Sequence, residues 1–197
     1  MHKQGCLALL LIVITVGLTG CITDVWTGAT LVYDRHNVYK KISDLQLAAN
    51  ASHALYKDQT FKSSDCSIDL AVINGDILLA GHVPTSDLRE EAFARITALS
   101  GYRRIFNQLA IGRERIDPLQ DDWITAKIRS QIFADSKIDP HQFKVVTSER
   151  IVYLMGDVIP SEAARVIHIA RSCMGVKRVV KLFKYYNLSD HPQEIRN

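Results

Sequence analysis

The sequence predicts an α+β protein of two tandem αββαβ modules behind an apolar leader. Three observations predict it. An apolar leader ends in a cysteine, a self-similar pattern recurs at an offset of about 75 residues, and each copy shows a helix-period stripe followed by strand-like runs. Of the 197 residues, 47% are hydrophobic, which is too apolar for general disorder and enough for one medium core or two small ones. The formal charge of +3 is modest, so no chain-wide basic field marks nucleic acid as a partner.

Residues 1–20 read as a targeting segment. Lys3 supplies a basic start, and Leu7 to Leu18 is apolar apart from Thr15 and Gly17. That run is short of the roughly 20 apolar residues a membrane-spanning helix needs. It ends in Leu18-Thr19-Gly20-Cys21, which resembles a bacterial lipobox. The resemblance implies cleavage before Cys21 and acylation of that residue, with Ile22 in place of Asp directing the product to the outer membrane, on its periplasmic face. An uncleaved signal anchor or a chance cysteine is the competing reading. Residues 21–40, with Trp26, Tyr33 and Tyr39, form a tether. Beyond Cys6 and Cys21, only Cys66 and Cys173 remain; a bridge between them and two separate buried thiols are both open.

The first module spans 41–112, a linker 113–120, the second module 121–186, and a polar tail 187–197. Leu47, Ala51 and Leu55 mark the opening helix of the first copy; Ile124, Ile128 and Ile132 mark that of the second. A hairpin follows each. Asp76 to Val83 aligns with Ile151 to Val158, and the breaks before them are Asn74-Gly75 and Ser148-Glu149-Arg150. Helices then run over Ser86 to Leu99 and Ser161 to Cys173, each opened by a serine suited to capping. Gly101 and Gly175 suit the helix ends. Closing strands from Arg103 to Ile111 and Val176 to Tyr186 complete an antiparallel sheet with two helices on one face.

The αββαβ order, with Leu-Leu-Ala-Gly-His-Val (78–83) or Tyr-Leu-Met-Gly-Asp-Val (153–158) in the hairpin and Gly-Val-Lys-Arg-Val (175–179) after the second helix, resembles the BON domain. Two such domains behind a lipobox resemble dual-BON lipoproteins of the Gram-negative outer membrane. That resemblance implies binding of anionic phospholipid through the second domain and a part in envelope integrity.

The candidate lipid-binding residues are Trp123, Ile124, Lys127, Arg129 and Ser130. With about 100° per helical residue, Trp123 falls off the isoleucine stripe, on the side of Lys127, Ser130 and Ala134. An indole beside a cation suits a membrane interface. The equivalent residue of the first copy is about Gln46. Charge differs in the same direction: residues 121–187 hold eleven Lys or Arg against seven Asp or Glu, and 41–117 hold nine against ten. Basic residues beyond the helix are Lys177, Arg178, Lys181 and Lys184, which equally suit a protected strand edge. Trp123 folded back as a hydrophobic staple is the plainer reading of that side chain.

No nucleophile elbow, P-loop or dinucleotide fingerprint occurs. His53, His82, His141 and His168 show no metal-ligand spacing and read as surface or half-buried polar residues. Asp121-Asp122 reads as a helix N-terminus favoured by the dipole. The expectation is a protein without catalytic residues, cofactor, metal or small-molecule substrate. Its partner is the membrane, with an adaptor docking on envelope assembly or division machinery as the alternative.

Overall fold

The computed structural model describes residues 30–112 and 117–186, with side chains from residue 39 onward. The expected signal peptide, Cys21, the first part of the expected tether and the expected tail lie outside the described residues. By internal contacts the chain divides into Met1–Val38 and Tyr39–Asn197, and both modules belong to the second unit.

The first module comprises α1 (Thr30–Tyr56), β1 (Ser67–Ile73), β2 (Asp76–Val83), α2 (Ser86–Thr97) and β3 (Arg104–Ile111). The second comprises α3 (Pro118–Ala134), a single 3-10 turn (Pro140–Gln142), β4 (Lys144–Ser148), β5 (Ile151–Val158), α4 (Pro160–Ser172) and β6 (Arg178–Tyr185). Two helices begin earlier than their apolar stripes indicate. Helix α1 already runs through part of the tether. Helix α3 starts inside the expected linker, where Asp117 accepts a hydrogen bond from the Gln120 N–H at 3.2 Å and Pro118 fits the first turn. Capping also departs from expectation. Thr85, not Ser86, caps α2, and α4 opens at Pro160 with no side-chain cap.

Each sheet is mixed rather than purely antiparallel. β1 and β4 pair antiparallel to β2 and β5, but β3 and β6 pair parallel to those same central strands. The intervening helix carries the chain back to the starting edge, which makes the closing strand parallel. Both hairpins close with two residues, Asn74-Gly75 and Glu149-Arg150. All four have positive φ: 51° and 77° in the first turn, 55° and 64° in the second. These are type I′ geometries, whose twist matches the strands.

Three cores result. Leu47, Ala51, Leu55, Ile77, Leu79, Ala92 and Ile96 pack between helices and sheet in the first module. Ile124, Ile128, Ile132, Val152, Leu154, Val166 and Ala170 do so in the second. The alternate side chains of the same strands form the third, where Leu78 and Ala80 meet Tyr153, Met155 and Leu182. The sheets therefore pack face to face, with helices outermost. Every residue of β2 is buried because both its faces are covered.

Cys66 and Cys173 are free. One packs against the first core and the other within the second, and burial raises both thiols above their usual range. Among the described residues no helix is long and apolar enough to cross a membrane.

Candidate functional site

Helix α3 is fixed from below by its isoleucine stripe and from its first turn by Asp121. That residue is buried, and its carboxylate accepts hydrogen bonds from the backbone N–H groups of Glu149 at 2.7 Å and Arg150 at 2.8 Å. Asp121 does lie in the first turn of α3, as the helix-dipole reading expects, and it also ties the helix to the hairpin. Asp44 does the same in the first module, accepting from Asn74 at 2.7 Å and Gly75 at 2.8 Å. The two aspartates align the repeats and make Gln46 the counterpart of Trp123. Further along, Thr125 Oγ1 donates to Thr147 Oγ1 at 2.8 Å and joins the helix to β4.

The outward face of α3 carries large apolar groups. Trp123 is 49% exposed, Leu119 81% and Phe133 77%. At about 100° per residue, Leu119, Trp123 and Ser130 share one stripe, with Lys127 and Arg129 on its flanks and Phe133 at its far end. Lys127, Arg129 and Ser130 are exposed. Neither Lys127 nor Arg129 forms an ion pair with a described residue. The Ser130 hydroxyl donates to the Lys127 carbonyl at 2.8 Å, which turns it toward its own helix. Trp123 is not folded away as a staple.

Ile124 is a correction. It is fully buried in the second core, and the stripe that seats the helix cannot also face outward, so it leaves the surface set. Leu119 and Phe133 were missed, as was Met174, 78% exposed in the turn after α4. That turn abuts α3, since Gly175 lies against Gln120 and Ile124. Leu119 escaped because it fell in the supposed linker. Of the other basic residues, Arg178, Lys181 and Lys184 lie on β6, an edge strand, where lysines deter pairing with other chains.

His82 is a second correction. It is 2% exposed rather than on the surface or half-buried, and its Nδ1 donates to Glu149 Oε1, across the contact between the two sheets. At another point of that contact, Arg103 donates both to Asp76 of its own module and to Asp157 of the other, at 2.6–2.8 Å. Burial alone would raise the Asp76 carboxyl, but Arg103 and Arg104 outweigh it and hold it below the usual range. Asp69 goes the other way: burial raises it, with Asp121 and Asp122 adding to the effect against a hydrogen bond from Ser148. Among the described residues no three His, Cys, Asp or Glu side chains gather as metal ligands. Among the described residues, one open groove of about 380 Å³ lies between α3 and α4 and another of about 410 Å³ beside Lys40, Arg103 and Lys184.

The chain is 31% identical over 178 residues to the outer membrane lipoprotein DolP of Haemophilus influenzae, covering 87% of this chain and 91% of that one. It is 30% identical over 155 residues to the 21 kDa hemolysin of Actinobacillus pleuropneumoniae, covering 77% and 79%. A solved structure of CdsD, a structural protein of the type III secretion system of Chlamydia trachomatis, matches at a TM-score of 0.30 and 10% identity, over 77% of this chain and 99% of that one. The BON domain matches residues 43–113 and again 120–187. With both modules matched, this chain belongs to the BON-domain family.

Proposed function

We propose that this protein is a periplasm-facing outer-membrane lipoprotein, acylated at Cys21, whose second BON domain binds anionic phospholipid and thereby supports envelope integrity. The observation that carries the reading is the outward face of α3, where Leu119, Trp123 and Phe133 stand exposed between Lys127 and Arg129, neither ion-paired to a described residue. Its counterpart at Gln46 is polar and bonded to Asn50 at 3.1 Å, so the exposed indole belongs to one copy. Similarity to the relative named an outer membrane lipoprotein supports the location. An indole at headgroup depth and cations against lipid phosphate are the expected chemistry, each basic residue contributing about 1 kcal/mol near an anionic surface.

The test is flotation of the mature chain without its acyl groups on vesicles of phosphatidylglycerol and phosphatidylethanolamine. Trp123→Glu should abolish binding, and high salt should weaken it. Wild-type protein that stays with the soluble fraction would refute the reading. Mass analysis of the processed N-terminus checks Cys21.

A second reading has its own observation. Tyr39, Ile42 and Leu45 are exposed on α1, a face the lipid contact does not use. An adaptor docking on envelope machinery would use such a face, and the two roles are compatible.

A further inference from the structure

The two hairpin turns form an internal control. Both are two-residue turns with left-handed φ at each position, and both are gripped by an aspartate from the preceding helix at 2.7 and 2.8 Å. The first uses Asn-Gly, the pair that adopts this geometry most readily. The second uses Glu149-Arg150, two residues with bulky side chains in a region such side chains avoid. Backbone held in an unfavourable conformation persists when the surrounding contacts require it. Here the side chains supply them. Glu149 receives the bond from His82 of the first module, and Arg150 Nε donates to the Gly175 carbonyl at 2.7 Å, in the turn that abuts α3.

We propose that Glu149 and His82 are positioning residues for the lipid-facing helix. The proposal rests on reading α3 as the lipid contact. The chain of contacts is continuous. His82 is fixed in β2, the fully buried central strand of the first module, and its imidazole holds Glu149. The backbone of Glu149 is held by Asp121, which lies two residues before Trp123 on the same helix. Ser148, next to Glu149 in the chain, is buried as well and hydrogen-bonds half-buried Asp69 of the first module. The first module thereby steadies a helix it need not touch, and the second module's turn keeps costly residues because Asn-Gly has no side chains able to make both contacts.

Amide hydrogen exchange of the lipid-free mature chain, together with vesicle flotation, tests this. The double variant Glu149→Asn/Arg150→Gly installs the turn of the first module, so the hairpin and the Asp121 grip are kept while both side-chain contacts go. Exchange across residues 119–125 should accelerate about fivefold or more, the lower end of typical coupling between sites. Vesicle affinity should fall by a similar factor. His82→Leu should reproduce the acceleration, whereas His82→Gln, which keeps a donor, should restore most of the protection. Unchanged exchange in α3, or equal acceleration throughout the second module, would overturn the proposal. Failure of the lipid reading shows separately, as vesicle binding indifferent to Trp123→Glu while the exchange differences persist.

Discussion

Gly81 and Gly156 are the positions where one added methyl does most harm. A Cβ at Gly81 would sit 2.2 Å from the Ser67 carbonyl oxygen, and one at Gly156 would sit 2.0 Å from that of Gln142. Both obstacles are backbone, and both glycines have positive φ, 104° and 145°. Relief therefore demands that the central strand move. Gly81→Ala and Gly156→Ala should each lower unfolding free energy by about 2–4 kcal/mol, combining strain with overpacking, as read by urea denaturation. Asp69 has the opposite character. Its carboxyl is raised by burial and by neighbouring acids, so its charged form opposes folding. A raised group contributes stability that is present below the unfolded value and lost as pH rises through the folded one. Asp69→Asn should therefore stabilise the protein at neutral pH, with the gain vanishing in acid, measured as Tm against pH.

At the level of elements, the ties between helix and hairpin matter more than helix propensity. Asp44 and Asp121 each satisfy two turn amides with a carboxylate. Hydrogen bonds to charged groups contribute about 1.5–3 kcal/mol, and removing the acceptor leaves amides unpaired. Asp121→Ala, at the more buried of the two, should cost about 3 kcal/mol and raise hydrogen exchange at Glu149 and Arg150. Asp44→Ala should act similarly on Asn74 and Gly75. Much of this architecture was legible: the 3.6-period stripes, the Asn-Gly signal, the Ser148-Glu149-Arg150 break and the paired glycines located the four α-helices and two hairpins among the described residues, though not every helix start. What was not legible depended on distant partners. Asp121 looks like an ordinary helix-start acid until the hairpin folds over it, and His82 looks like a strand-end polar residue until Glu149 meets it. Of the candidate surface, Trp123, Lys127 and Ser130 were readable from the wheel, and Arg129 from the basic charge of the second copy. Leu119 was lost because Asp117-Pro118, a good start signal, lies one turn ahead of the apolar stripe.

For the whole molecule, the decisive feature is the third core. The uninterrupted apolar runs Ile77 to Ala80 and Val152 to Met155 carry its signature, since a strand covered on one face alternates and one covered on both does not. Leu78, Tyr153 and Met155 are fully or almost fully buried between the sheets, so the modules should unfold together. Tyr153→Ala should cost about 3–5 kcal/mol, the range for a buried aromatic truncation, and the loss should appear in both modules by exchange. Acid should attack the same contact. Asp76 is buried and held below the usual range because Arg103 and Arg104 outweigh its desolvation, and Arg103 simultaneously bridges to Asp157 of the other module. A depressed carboxyl contributes stability that is present above its unfolded value and lost as pH falls through the folded one. Asp76→Asn should then destabilise at neutral pH by about 3–5 kcal/mol, as expected for breaking a buried pair. The gap to wild type should close as pH drops below the ordinary carboxylate value of about 4. If wild type and variant keep the same separation down to strong acid, Asp76 is not the group through which acid loosens the module contact.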